Sequence, residues 1–188
     1  MLAMTLVDRE SPRRDEVEAF IKRVYSDDYG ANAPELPPRL IAHFGDDGEV
    51  ACAAGLRTDA SGFFSERYLT SSVEAVVGGA VSEEVRREHL IEVTSLASRA
   101  PKKTARFIGE IGIRARDLGH TWSLFTVTRR LAILLRRYGA PLIYLADADP
   151  GRVEDPARWG DYYALDPKVF VSPLTRTPCR STTISRAA

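Results

Sequence analysis

The run His89-Leu90-Ile91-Glu92-Val93-Thr94-Ser95-Leu96 places a carboxylate and two hydroxyls in a stretch that is otherwise apolar enough to be a buried strand. An ionised carboxylate there is costly unless it is paired or faces a cavity. Burial raises a carboxyl pKa, which suits Glu92 to general-base work, with Thr94 and Ser95 beside it. The competing reading is a structural ion pair with Arg57. That arginine closes the apolar run Glu49 to Arg57, and its planar fork is suited to a substrate carboxylate as well as an internal one. The stretch Arg129 to Arg137 repeats an arginine pair after seven residues, so on a helix Arg129 lies over Arg136 and Arg130 over Arg137. Such cationic rows suit an acidic carrier protein or nucleotide phosphates, and serve equally as the solvated flanks of an amphipathic helix. Trp159, Tyr162 and Tyr163 are suited to walling an acyl pocket or to packing under a short helix.

Other chemistries lack their residues. There is no Gly-rich phosphate loop, His-Glu-x-x-His, Cys-x-x-Cys or Gly-x-Ser-x-Gly motif. The cysteines, Cys52 and Cys179, make no disulfide framework, and His43, His89 and His120 have no metal-ligand spacing, so no metal is expected. Cys52, in a run of small apolar residues, reads as a buried thiol. With 26 Lys+Arg against 26 Asp+Glu the chain carries no net field toward nucleic acid or anionic lipid, although its arginines and acids fall in separate patches. The first residues lack a basic leader region and no apolar run approaches the length of a membrane span, which points to a cytoplasmic protein.

The elements that must position these residues follow from periodicity. Residues 2–7 read as a strand, and Ser11-Pro12 as cap and first turn of a helix whose stripe is Val17, Phe20, Ile21 and Val24. A loop over 31–38 leads to a hairpin, Arg39 to Phe44 and Glu49 to Arg57, joined at Gly45-Asp46-Asp47-Gly48. Phe63 to Leu69 and Ser71 to Val77 are expected to be short helices, and Ser82 to Glu88 a solvated connector. The strand His89 to Leu96 ends at Ala100-Pro101-Lys102-Lys103. From Thr104 a helix with the stripe Ile108, Ile111, Ala115 and Leu118 leads to a buried strand, Trp122 to Thr128. A helix with Leu131, Leu134, Leu135 and Tyr138, a strand Leu142 to Ala146, a short helix Pro156 to Tyr163 and a last strand Lys168 to Leu174 complete the order. Strand-helix-strand units require right-handed crossovers with parallel pairing, hence an α/β mixed sheet with helices on both faces. One domain over 1–171 is expected, followed by a flexible Ser/Thr/Arg-rich tail, 172–188, that has no acidic residue.

This order, together with the segments Val24 to Ala31, Ala53 to Arg57, Phe63 to Leu69, Glu92 to Ala97, Phe125 to Thr128, Arg136 to Leu142, Leu145 to Ala148 and Trp159 to Tyr163, resembles the thermostable hemolysin family. That bacterial group is similar in fold to the GNAT N-acyltransferases and especially to the acyl-homoserine-lactone synthases. The resemblance implies a GNAT-like three-layer α/β/α domain with a centrally splayed sheet. It implies transfer of an acyl group from a thioester, on acyl carrier protein or coenzyme A, to the amine of a small metabolite, an amino acid or S-adenosylmethionine. Glu92 and Thr94 match the Glu-x-Ser/Thr-Arg element of the synthases, with Ser95 in the place of its arginine. Ala33 to Pro38 stands where the synthases keep acidic residues, and Leu96 to Lys103 lacks the Gly-rich pyrophosphate loop of acetyl-CoA enzymes. Amine acylation needs a base, for which Glu92 is the candidate, and a proton source for the thiolate, for which Tyr138 matches a tyrosine on the corresponding GNAT helix. Tyr138 also completes an apolar stripe. Substrate binding is expected of Arg57, Tyr68, Ser95, Thr126, Arg129, Trp159, Tyr162 and Tyr163. An acyl carrier protein would dock on Arg129, Arg130, Arg136 and Arg137, and a homodimer is compatible with the family. The alternative is a membrane-active or ligand-binding protein that keeps the fold without catalysis.

Overall fold

The computed structural model describes residues 4–32 and 36–174. Its strands are β1 (Met4–Val7), β2 (Arg39–Phe44), β3 (Val50–Arg57), β4 (Leu90–Ser98), β5 (Trp122–Val127), β6 (Ile143–Asp147) and β7 (Lys168–Pro173); its α-helices are α1 (Arg14–Tyr29), α2 (Val73–Val81), α3 (Pro101–Asp117) and α4 (Arg129–Arg137). They build one sheet of order β1-β2-β3-β4-β5-β7-β6. Among the described residues only β4 and β5 pair in parallel, joined by α3. The expected parallel pairing of β5 with β6 does not form, because β7 enters between them antiparallel to both.

Alternation along each strand sends residues to two faces. On one, α1, α2 and the turn Ser65–Tyr68 cover Val7, Leu40, Ala53, Leu90, Leu124 and Val169. On the other, α3 packs on Ile41, Cys52, Ala54 and Ile91, and α4 on Phe125, Val127 and Phe170. The GNAT-like three-layer sandwich read from the sequence is the arrangement found.

Several boundaries move for physical reasons. α1 opens at Arg14 without a side-chain cap, not at Ser11-Pro12. The buried Arg14 guanidinium donates to the carbonyls of Pro37 and Pro38, both at 2.7 Å, and pairs with Glu18, fixing the start of the helix on the loop before β2. Gly55 leaves room for that loop, since a Cβ there would sit 2.6 Å from Pro37 Cγ. Pro101 opens α3 rather than ending a segment, because its missing N–H is harmless in a first turn. Phe107 takes the core position on that helix and Leu118 is exposed. Ser172 and Pro173, assigned to the tail, lie in β7 opposite Ser123 and Trp122. Cys179 and the rest of that tail, from 175 onward, fall outside the described residues, as do residues 33–35.

Candidate active site

β4 and β5 part at the middle of the sheet. Their pairing ends at Glu92 opposite Leu124, although β4 continues to Ser98 and β5 to Val127. On its other side β4 carries an extra residue against β3: Ala53 faces Ala97 but Gly55 already faces Thr94. The bulge puts Ser95 at φ 51, a left-handed conformation that costs a non-glycine residue roughly 1–2 kcal/mol. Such a break in the ladder interrupts the alternation of side chains, and both Thr94 and Ser95 turn toward the same opening.

That opening is a cavity of about 20 Å³ lined by Glu92, Thr94, Ser95 and Thr126 and walled by Tyr25, Phe64, Tyr68, Trp159 and Tyr162. This is room for one water molecule. Trp159 packs against Phe64 and Tyr162 at centroid distances of 5.4 and 5.5 Å. Tyr162 donates its hydroxyl to the Thr126 carbonyl at 3.2 Å, and the Tyr68 and Tyr163 hydroxyls meet at 2.7 Å. Gly160, at φ 51, kinks the segment Pro156–Leu165 so that it lies on the end of α1, where a Cβ would collide with the Tyr29 carbonyl.

Glu92 is 1% exposed. Its partner is the loop before α2 and not Arg57: Phe64 N–H donates to Oε2 at 2.5 Å, Ser65 N–H donates to Oε1 at 2.9 Å, and the Ser65 hydroxyl donates to Oε1 as well. Desolvation pushes its pKa up, opposed by the Ser65 hydroxyl, the two N–H donors and the nearby positive charge of Arg57. Arg57 faces Glu92 across the β3–β4 ladder and bonds the Ser61 carbonyl at 3.4 Å, and its buried Nε has no hydrogen-bond partner among the described residues. Burial likewise raises the pKa values of Tyr68 and Tyr162, so both hydroxyls stay protonated.

The loop that grips Glu92 is itself held by a residue read from sequence as part of a solvated connector. Arg87 bonds both carboxylate oxygens of Glu66, at 2.6 and 2.8 Å, and reaches Glu74 at 2.9 Å and Asp59 at 2.8 Å. Glu66 also accepts the N–H of Val73, the first residue of α2.

The structure therefore gathers Glu92, Thr94, Ser95, Tyr68, Thr126, Trp159 and Tyr162 at one cavity, with Tyr163 hydrogen-bonded to its rim and Arg57 behind Glu92. Tyr138 is elsewhere. It caps the C-terminus of α4 at 66% exposure, so it neither completes a buried stripe nor lines the cavity. Arg129 lies on the exposed face of α4, where Ile133 has arginines at all four of its helical neighbours, Arg129, Arg130, Arg136 and Arg137. None of the four pairs with an acidic side chain among the described residues, and Arg136 stacks over Phe170. Sequence reasoning missed Ser65, Phe64 and Tyr25 as site residues. Only Tyr25 left a usable trace, one position past Val24 on the stripe of α1.

Residues 7–177 match the sequence model of a family described as thermostable hemolysin. The chain belongs to the thermostable hemolysin family. No curated protein matches it. Among solved structures this hemolysin-family chain is similar to the acyl-homoserine-lactone synthase LasI, with a TM-score of 0.64 at 10% identity over 93% of this chain and 91% of that one. It is similar to FeeM, an N-acyl amino acid synthase from uncultured soil microbes, with a TM-score of 0.59 at 14% identity over 92% and 90% of the two chains. The CoA-dependent acyl-homoserine lactone synthase MesI gives 0.54 at 16% identity over 93% and 90%. These likenesses establish a fold shared with N-acyltransferases. Among the described residues of this family member, no helix is long and apolar enough to cross a membrane, and no group of three or more His, Cys, Asp and Glu is placed to hold a metal ion.

Proposed function

We propose that this hemolysin-family protein is an N-acyltransferase that moves an acyl group from a thioester to the amine of a small acceptor. The observation that carries the reading is a buried carboxylate, Glu92, at the point where two parallel strands part beside a cavity lined by Thr94, Ser95 and Thr126. Glu92 takes the proton that the neutral acceptor amine loses as its nitrogen attacks the thioester carbonyl; the C–N bond forms, the C–S bond breaks and sulfur leaves with the electron pair. Backbone N–H groups freed at the splay and bulge are suited to polarising the carbonyl. The Tyr68 and Tyr163 hydroxyls, which spend one hydrogen on the bond between them, keep a second to donate to the departing thiolate, in place of Tyr138. The aromatic wall of Phe64, Trp159 and Tyr162 suits an acyl chain once it opens.

An amino-acid acceptor is the class supported by the N-acyl amino acid synthase among the similar structures; Arg57, which faces Glu92 but does not line the cavity, adds positive charge beside the base and not a direct contact to the acceptor. S-adenosylmethionine remains in the acceptor panel through the likeness to lactone synthases. For the donor, the unpaired arginine ring around Ile133 favours an acidic acyl carrier protein, with acyl-CoA as the alternative that the CoA-dependent neighbour supports. Purified protein incubated with acyl-carrier-protein and acyl-CoA panels, amino acids and S-adenosylmethionine is expected to release free thiol and form an acylated amine. No thiol release from any pairing would refute the reading.

A further inference from the structure

The hydrogen bonds around Glu92 have a direction. Ser65 is fully buried and commits its hydroxyl hydrogen to Glu92 Oε1. Its oxygen lies 2.6 Å from Thr126 Oγ1. With the Ser65 hydrogen already used, the Thr126 hydroxyl must be the donor of that second bond. Thr126 is only half-buried and lines the cavity, whereas Ser65 does not reach it. Thr126 Oγ1, on a residue that lines the cavity, is thus left with acceptor lone pairs and no uncommitted hydrogen. The two hydroxyls and the carboxylate form a chain whose hydrogens all point inward, and bonds aligned in this way strengthen one another.

We infer that Thr126 and Ser65 relay the acceptor's proton to Glu92, and that Thr126 Oγ1 is the atom that touches the reacting amine. This rests on the acyl-transfer reading and adds the path of the proton. As nitrogen attacks the thioester, its proton passes to Thr126 Oγ1, the Thr126 hydrogen to Ser65 Oγ, and the Ser65 hydrogen to Glu92 Oε1. The C–N bond forms, the C–S bond breaks, and the sulfur leaves with the electron pair. Net, one proton has moved from nitrogen to the carboxylate. Its return along the chain, or its loss to the thiolate, resets the site.

Glu92 also edges the cavity, so a single water could carry the proton without the hydroxyls. Thr126→Val separates the two routes, because it keeps the side-chain shape, suits a strand and leaves the bonds from Phe64 and Ser65 N–H to Glu92 intact. The relay predicts a fall in kcat of about 10²-fold for Thr126→Val with KM for the acceptor little changed. It predicts a similar loss in Ser65→Ala and recovery to within a few-fold in Thr126→Ser. Unchanged thermal midpoints show that the variants fold. Turnover by Thr126→Val at the wild-type kcat, or a Thr126→Ser variant no better than the valine, overturns the relay alone. A wild type that acylates no amine overturns the relay together with the acyl-transfer reading.

Discussion

Ser65 meets Oε1 of Glu92 twice, through its backbone N–H at 2.9 Å and through its hydroxyl. With Phe64 holding the other oxygen, every hydrogen bond to the carboxylate among the described residues comes from a loop that lies 27 and 28 residues earlier in the chain. This arrangement can hold an anion where desolvation opposes one, and the expected behaviour of the protein follows from that tension.

The pH dependence of turnover should carry the mark of Glu92. Burial outweighs its hydrogen bonds and raises its pKa, so the rising limb of kcat against pH is expected above the ordinary glutamate value of about 4.3. The folded state also holds this proton more tightly than the unfolded chain does, so the residue's contribution to stability falls as pH rises from about 4.3 through the raised value. Glu92→Gln is expected to remove both the limb and that decline, read by pH-rate profiles and by denaturation at several pH values. A rising limb retained in Glu92→Gln would assign it to another group.

Arg87 should matter more to stability than a surface arginine does. It joins Asp59, Glu66 and Glu74, and Arg87→Ala is expected to cost about 2 kcal/mol, read as a lower denaturant midpoint. Glu66 has its pKa depressed, first by the Arg87 hydrogen bonds, so the clamp is complete above the ordinary glutamate value and weakens as pH falls through the depressed one. The variant should therefore lose part of the wild type's acid sensitivity. A midpoint equal to wild type at neutral pH would show that the clamp does not hold the loop.

Trp159 walls the cavity and packs against Phe64, Tyr162 and Tyr163. Trp159→Ala is expected to cost about 2–3 kcal/mol, below the range for a fully buried tryptophan because this one is half-buried. Among active donors it should shift the preferred acyl chain toward greater length. An unchanged chain-length profile would place the acyl chain elsewhere.

The arginine ring on α4 predicts a donor-specific effect. Arg130→Glu with Arg137→Glu is expected to raise KM for an acyl carrier protein donor about tenfold or more at low salt, while KM for an acyl-pantetheine is unchanged. The difference should shrink as salt screens the exposed charges. Equal KM changes for both donors would rule out a carrier-protein contact on this face.

Much of the fold was legible because it follows from local pattern. The hairpin from Arg39 to Arg57 and the stripes of α1 and α4 appear where periodicity and turn residues put them, apart from Tyr138 at the end of α4. Glu92 was legible because a carboxylate breaks an apolar strand. Its partners were not: a loop that folds back onto a strand some 27 residues later leaves no periodic trace in either segment. Arg87 was hidden because its three carboxylates are scattered between Asp59 and Glu74, and a charged run looks solvated wherever its partners are distant. The insertion of β7 between β5 and β6 was equally out of reach, since crossover rules set handedness but not which later strand fills a gap.

The central claim is that Glu92 serves amine acylation at the splay of β4 and β5. Its most direct test is product formation by wild type and Glu92→Gln, followed by mass spectrometry on the panel of thioester donors and amine acceptors. The account predicts an acylated amine and one free thiol per turnover for the wild type, with the variant slower by about 10²–10⁴-fold at similar KM. An absence of acylated amine with every donor, or a variant as fast as the wild type, would contradict it.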